Sequence, residues 1–202
     1  MNTSWDQIRV ELGLDKFGEA DIHPHVAAER AEFFHSHDCG GTEFEFLNLI
    51  HAIVLATKPK WCIETGTFTG LGTLAIAHAL HWNNYGCLIT LDIENMLDAR
   101  ELIQRYDLGA HVRFEVENAS DFIRRYNGEP FEFAFIDSGG ERLGETNLLI
   151  GGGKLKAGAI VVAHDASPLR HAEPTLGTQL IKECPLPGHT IPFSRGLRIM
   201  FA

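Results

Sequence analysis

The sequence predicts an α/β fold: a mainly parallel sheet, an antiparallel C-terminal hairpin and helices on both faces. Three observations predict it. Short apolar runs alternate with segments of helical periodicity from Trp61 to Ala163. The run from Phe131 to Asp137 is apolar at nearly every residue, as a strand covered on both faces requires. Acidic residues stand at or just beyond the strand ends, at Glu64, Asp92, Asp137 and Asp165. A chain of 202 residues fits one such domain and can bury its core without disulfides or structural metal.

The elements follow in order. The first forty residues are polar and rich in His, with helical signals at Ser4–Leu12 and Pro24–Phe34. Residues 1–40 are read as an N-terminal helical cap or lid and 41–202 as the main domain. Thr42 reads as a helix N-cap, followed by Glu43 and Glu45 where carboxylates suit the helix dipole. Phe46, Leu49, Ile50, Ile53 and Val54 then form one apolar helical face, which Pro59 ends. Trp61–Glu64, Cys87–Asp92, Val112–Val116, Phe131–Asp137 and Ala159–Ala163 read as strands. Leu71–His81, Met96–Tyr106, Ser120–Tyr126 and Glu141–Ile150 read as the helices between them. Beyond Asp165 the prolines 168, 174, 185 and 187 imply loop, with one short helix near Leu176–Lys182. Thr190–Phe193 and Leu197–Phe201 flank Ser194-Arg195-Gly196 as a hairpin.

Composition excludes some partners. The formal net charge is −10 and no dense basic run is present, so phosphate backbones and anionic lipid surfaces would repel the chain. Neither nucleic acid nor a membrane is expected as a partner. Cys39, Cys62, Cys87 and Cys184 form no C-x-x-C pair, which points to a reducing compartment. No apolar stretch reads as a signal peptide or a membrane span, so the expected location is cytoplasmic.

In open parallel sheets, ligands bind at the carboxyl ends of the strands, near the point where strand order reverses. Glu64 and Asp92, and likewise Asp137 and Asp165, lie about one strand–helix repeat apart, on the order of 30 residues. That spacing brings four acids to one rim, which is costly unless cations or hydroxyl donors meet them. The turn Glu64-Thr65-Gly66-Thr67-Phe68-Thr69-Gly70-Leu71-Gly72 lets a ligand approach the backbone and a helix N-terminus. It is neither G-x-G-x-x-G nor a P-loop. The acid at Glu64 would repel a pyrophosphate and suits an ammonium group. Asp92 can accept both hydroxyls of a ribose. S-adenosylmethionine carries a ribose, an ammonium group and a carboxylate for the helix N-terminus.

These residues resemble motif I of class I S-adenosylmethionine-dependent methyltransferases. More narrowly they are similar to the bacterial small-molecule O-methyltransferase group related to catechol and caffeoyl-CoA O-methyltransferases. Leu91-Asp92-Ile93, Asn118-Ala119-Ser120, Phe135-Ile136-Asp137 and Leu155-Lys156-Ala157-Gly158-Ala159 continue the likeness, which runs from about Thr42 to Asp165. The resemblance implies a Rossmann-like class I methyltransferase sheet. It implies that Glu64 holds the methionine ammonium and that Gly66, Thr67, Gly70 and Gly72 line the cofactor. Asp92 and Ile93 would then meet the ribose, and Asn118, Ala119 and Ser120 the adenine, with Asp137 beside them. Cation-dependent relatives would place a divalent metal on Asp137, His164 and Asp165; Mg²⁺, Mn²⁺ and Ca²⁺ are the candidates. The Lys of catechol-type enzymes is missing: Gly140 stands there, followed by Glu141 and Arg142. The lysine mechanism therefore does not carry over. His164, after the fifth strand, is the candidate base, with Asp137 beside the chemistry.

The expected activity is O-methyl transfer to a small hydroxylated acceptor, possible with or without a metal, by a homodimer like its relatives. Two alternatives stand beside it: a methyltransferase-like binding protein without chemistry, and an NAD-dependent oxidoreductase. The missing second glycine and Glu64 argue against the latter. His23, His25, His35, His37 and Cys39 read as part of a lid over the acceptor pocket more readily than as a zinc site. Arg195 could face the acceptor. His78, on an apolar helix stripe, reads as a hydrogen-bonded core residue.

Overall fold

The computed structural model describes residues 3–14, 41–139, 141–167, 176–192 and 195–202. Helix α1 (Trp5–Leu12) is closed by a capping box. The Ser4 hydroxyl accepts from the Gln7 N–H at 3.2 Å, and the Gln7 side chain accepts from the Ser4 N–H at 2.8 Å. Helix α2 (Phe44–Thr57) has Glu43 rather than Thr42 at its N-cap. The Thr42 hydroxyl instead donates to Asp137 Oδ2 at 3.0 Å, so a tertiary partner replaces the local one. The expected second helix and the His23–Cys39 cluster fall outside the described residues.

The alternation resolves into β1 (Trp61–Thr65), α3 (Leu71–Asn83), β2 (Cys87–Asp92), α4 (Leu97–Arg105), β3 (Val112–Val116), α5 (Ala119–Arg125), β4 (Phe131–Ile136), α6 (Arg142–Gly151), β5 (Leu155–His164), α7 (Leu176–Glu183), β6 (Gly188–Ile191) and β7 (Leu197–Phe201). β5 starts earlier than its apolar run because Leu155 pairs with Phe131 before the register shifts. The polar stretch Lys156–Gly158 hid that pairing.

The sheet has seven strands in the order β3-β2-β1-β4-β5-β7-β6. β1 to β5 are parallel, and β7 lies between β5 and β6, antiparallel to both. This is the class I methyltransferase fold. Strand order reverses between β1 and β4, so the crevice beyond their carboxyl ends is the topological switch point.

Side chains alternate across the sheet as strand geometry requires. Ile63, Ile89, Ala134, Ile136 and Val161 pack with Phe122, Ile123, Leu149 and Leu180 on the face covered by α5, α6 and α7. Cys62, Leu88, Phe133, Phe135 and Val162 pack with Phe46, Ile50, Ile76 and Leu80 on the face covered by α2 and α3. Helix α1 joins a third cluster, where Trp5 and Ile8 meet Leu47, Leu74 and Ile103. Among the described residues, no helix is long and apolar enough to cross a membrane.

His78 is a hydrogen-bonded core residue, as its place on the α3 stripe predicted. Its Nε2 lies 2.9 Å from the Thr3 carbonyl and its Nδ1 2.9 Å from His51 Nε2. The carbonyl can only accept, so His78 carries its proton on Nε2 and takes the His51 proton at Nδ1. Trp5 stacks on His51 with ring centroids 4.7 Å apart, which pins α1 to α2 and α3.

Candidate active site

Two cavities open at the switch point. The first, about 390 Å³, is lined by Gly66, Asp92, Ile93, Asn118, Ala119 and Ser120, with Ser138, Glu141 and Glu145 opposite. The second, about 650 Å³, is lined by Gly41, Phe68, Glu94, Met96, Asp137, Arg142, Asp165 and Arg195. Both share Gly66, Asp92, Ile93 and Gly139, so they form one crevice with two arms.

Local structure explains the shape. At Gly66 φ is +89°, and a Cβ would stand 2.7 Å from the Asp137 carbonyl oxygen. The β1 turn can therefore lie directly against the end of β4 only with glycine there. Phe68 also has positive φ, at 45°, and its backbone N–H donates to Asp92 Oδ2 at 3.0 Å. Asp92 Oδ1 accepts from the Glu94 N–H at 3.4 Å. A carboxylate has about four acceptor sites, so Asp92 keeps capacity for hydroxyl donors. Asn118 caps α5: its Oδ1 accepts from the Ser120 and Asp121 N–H groups at 3.0 and 3.3 Å. Capping leaves Ala119 and Ser120 at the rim.

Four residues expected at the cofactor line neither cavity. Glu64 is buried beneath the turn, where its Oε2 accepts from Thr73 Oγ1 at 2.5 Å and Thr90 Oγ1 at 2.7 Å. Burial pushes its carboxyl up to about 8, against the pull of the two hydroxyls. In this arrangement Glu64 ties β1 to β2 and α3 and does not reach a ligand's ammonium group. Thr67 turns inward to Thr90, with the hydroxyl oxygens 2.7 Å apart. Gly70, at φ +82°, lets α3 start against Ala99, and Gly72 makes room for Glu64 and Phe135. Their glycine requirement comes from packing.

The second cavity is walled by an ion-pair cluster. Asp137, His164 and Asp165 each offer a ligand atom within 4.8 Å of the others, as a metal would need. Asp137 and Asp165 already accept at least three hydrogen bonds each. Arg142 Nη2 donates to Asp165 Oδ2 at 2.8 Å and to Asp137 Oδ1 at 3.2 Å. Arg195 donates to both Asp165 oxygens, from Nε at 2.8 Å and Nη2 at 3.1 Å. Arg195 Nη1 also donates to the Gly41 carbonyl. His164 is fully buried between Asp137 Oδ1 (3.0 Å) and Glu43 Oε2 (2.5 Å).

Burial alone would lower the His164 pKa, but Asp137 and Glu43 outweigh it and raise it to about 10. The ring is therefore an imidazolium at neutral pH and has no lone pair for a metal or for an acceptor proton. Asp137 and Asp165 lie below the usual carboxylate range, because the His164 charge and the guanidiniums overcome burial. In this arrangement the three residues do not fit a divalent cation: a guanidinium bridges the two carboxylates and the imidazole is protonated. Nor is His164 placed as a general base. Asp165 itself has φ 58°, in the left-handed region that Asp enters more readily than most non-glycine residues.

A family model described as a methyltransferase domain matches residues 63–166. The chain belongs to this family. Solved structures support the same fold for the methyltransferase. The O-methyltransferase TomG of Streptomyces achromogenes, involved in tomaymycin synthesis and bound to SAM, is 19% identical with a TM-score of 0.66. That match covers 98% of this chain and 96% of TomG. The cofactor-bound Rv0187 protein from MTB is 20% identical with a TM-score of 0.67, covering 81% of this chain and 82% of that one. An O-methyltransferase of Bacillus cereus in complex with SAH is 16% identical with a TM-score of 0.65, covering 82% and 84%. No curated protein matches the chain in sequence.

Sequence reasoning missed Glu43 and Glu145 and left Arg142 without a role. Glu145 is buried at the first cavity, where Thr65 and Ser138 hydroxyls donate to it at 2.8 and 2.7 Å. A lone acid or arginine on a helix reads as a solvated face. The one available signal was the missing lysine at position 140, which left the acids at 137 and 165 without a cation.

Proposed function

We infer that the protein is an S-adenosylmethionine-dependent O-methyltransferase acting on a small acceptor. The carrying observation is the Asp92 carboxylate at the end of β2, with acceptor capacity left over, where the two arms of the crevice meet. In this reading Asp92 binds the ribose hydroxyls, Ile93, Ala119 and Ser120 flank the adenine, and Gly66 lets the ligand pass close to the backbone. The bound cofactor supplies an electrophilic methyl on a sulfonium. The Asp137, Arg142, Asp165 and Arg195 wall then orients the acceptor, and in-line positioning contributes much of the rate. Arg142 takes the place a metal would have as the fixed cation of this wall.

Calorimetry tests the reading. S-adenosylmethionine or its product S-adenosylhomocysteine should bind, and NAD should not. Asp92→Ala should weaken binding by roughly 10- to 100-fold, the loss of a few charge-assisted hydrogen bonds, with the protein still cooperatively folded. NAD binding in place of S-adenosylmethionine refutes the reading, and cofactor binding without methyl transfer would favour a binding protein.

A further inference from the structure

The start of α6 sends acids and a cation to different arms of the crevice. Glu141 and Glu145 stand about one helical turn apart and both line the first cavity. Arg142, next to Glu141, lines the second cavity. Glu141 is the N-cap residue of α6, yet its side chain makes no capping hydrogen bond. Its carboxylate reaches toward α5 instead, where Oε2 accepts from the Ser120 hydroxyl at 3.3 Å. Glu145 is only 4% exposed and takes one hydroxyl on each oxygen, Ser138 on Oε1 and Thr65 on Oε2. A carboxylate has about four acceptor sites, so both acids keep acceptor capacity beside the cavity.

This arrangement is unfavourable for the free protein. Two carboxylates four residues apart at a helix start repel each other. Burial, and more weakly the Glu141 charge, push the Glu145 carboxyl up, against the pull of the Ser138 and Thr65 hydroxyls. A hydrogen-bond donor brought in by a ligand relieves that cost. In the methyl-transfer reading the purine lies beside Ile93, Ala119 and Ser120, and Ser120 is the residue that Glu141 touches. The base therefore meets the start of α6 along one edge. The donor that adenine carries on its edge is the exocyclic N6 amino group, and N7 beside it is an acceptor.

We propose that Glu141, with Glu145 beside it, receives the N6 amino group of the cofactor's adenine and makes the site selective for that base. The proposal rests on the methyl-transfer reading above and adds to it the residue that chooses between bases. Deamination puts an oxo acceptor, O6, in place of the amino donor. The carboxylate then faces a second acceptor and loses its partner. A site built to hydrogen-bond a ligand's N–H discriminates strongly against an analogue without it, because its own polar groups are left unpaired.

Calorimetry on the full chain tests this with two ligands, S-adenosylhomocysteine and S-inosylhomocysteine. They differ only at the base, and neither carries a methyl to transfer. Wild type should bind the adenosyl compound tighter by roughly tenfold or more. Glu141 is exposed at the helix start, so Glu141→Gln should fold as wild type does. Its amide offers both an acceptor for N6 and a donor for O6, so the ratio of the two dissociation constants should fall close to one. A purely structural or long-range electrostatic role for Glu141 would move both affinities alike and leave the ratio where it was. A ratio near one in the wild type, or a ratio that Glu141→Gln leaves unchanged, overturns the proposal while the methyl-transfer reading stands. Failure of S-adenosylhomocysteine itself to bind removes the reading beneath it.

Discussion

Replacing Arg142 by Met tests whether a guanidinium is the resident cation of the acidic cluster. Arg142 Nη2 is shared between Asp137 and Asp165 at 3.2 and 2.8 Å, and its side chain is 6% exposed. Breaking a buried pair from one side leaves uncompensated charge and costs about 3–5 kcal/mol. Each kcal/mol moves the thermal midpoint of a domain this size by roughly 2–4 °C, so the loss should be roughly 6–20 °C. The variant also leaves two carboxylates facing the vacated space. Mn²⁺ should then bind it, and at a hundredfold over its Kd should restore about 2.7 kcal/mol. Calorimetric unfolding with and without MnCl₂ reads the stability, and electron paramagnetic resonance of free Mn²⁺ reads the binding. The wild type should show neither Mn²⁺ stabilisation nor EDTA sensitivity. Equal Mn²⁺ affinity in wild type and variant, or an EDTA-induced drop in the wild type, would refute the reasoning.

Three further outcomes are expected. The Glu64 carboxyl is raised from 4.5 to about 8 in the folded state. The native chain therefore holds a proton that the unfolded chain releases across that range, and stability falls as pH rises through it. Glu64→Gln keeps a neutral acceptor for both threonine hydroxyls, so its unfolding free energy should be flatter between pH 4.5 and 8; an unchanged slope rejects the assignment. His51 is lowered from 6.5 to about 4, by burial first and His78 second. Stability should thus be lost as pH falls from 6.5 to 4, and hydrogen exchange should show α1 releasing first; full protection of α1 at pH 4 would count against it. Gly66→Ala should cost about 1–3 kcal/mol in urea unfolding, because a Cβ would stand 2.7 Å from the Asp137 carbonyl oxygen at a positive φ. A neutral result would mean that the turn relaxes freely.

Much of the architecture was legible in the chain because local signals and tertiary packing agree. β2, β3 and β7 occupy the residues their apolar runs predicted, and α3 follows its stripe and carries His78 into the core. β5 was shortened in the reading because Lys156–Gly158 is polar, whereas the strand reaches back to Leu155, which pairs with Phe131. The rim of acids was legible for the same reason, since strand ends in a parallel sheet share one edge.

The sequence by itself therefore determined the α/β alternation, the glycine turn after β1 and the carboxylates at the strand ends, all of which rest on periodicity and backbone chemistry. Only the tertiary structure decided what each carboxylate meets. Glu64 turned away from the crevice because Thr73 and Thr90 satisfy it inside. Glu43 and Arg195, remote in the chain, converged with Arg142 and His164 on Asp137 and Asp165. The physical reason is reach: ion pairing inside a crevice depends on distances of a few ångströms between distant segments, which spacing along the chain does not encode.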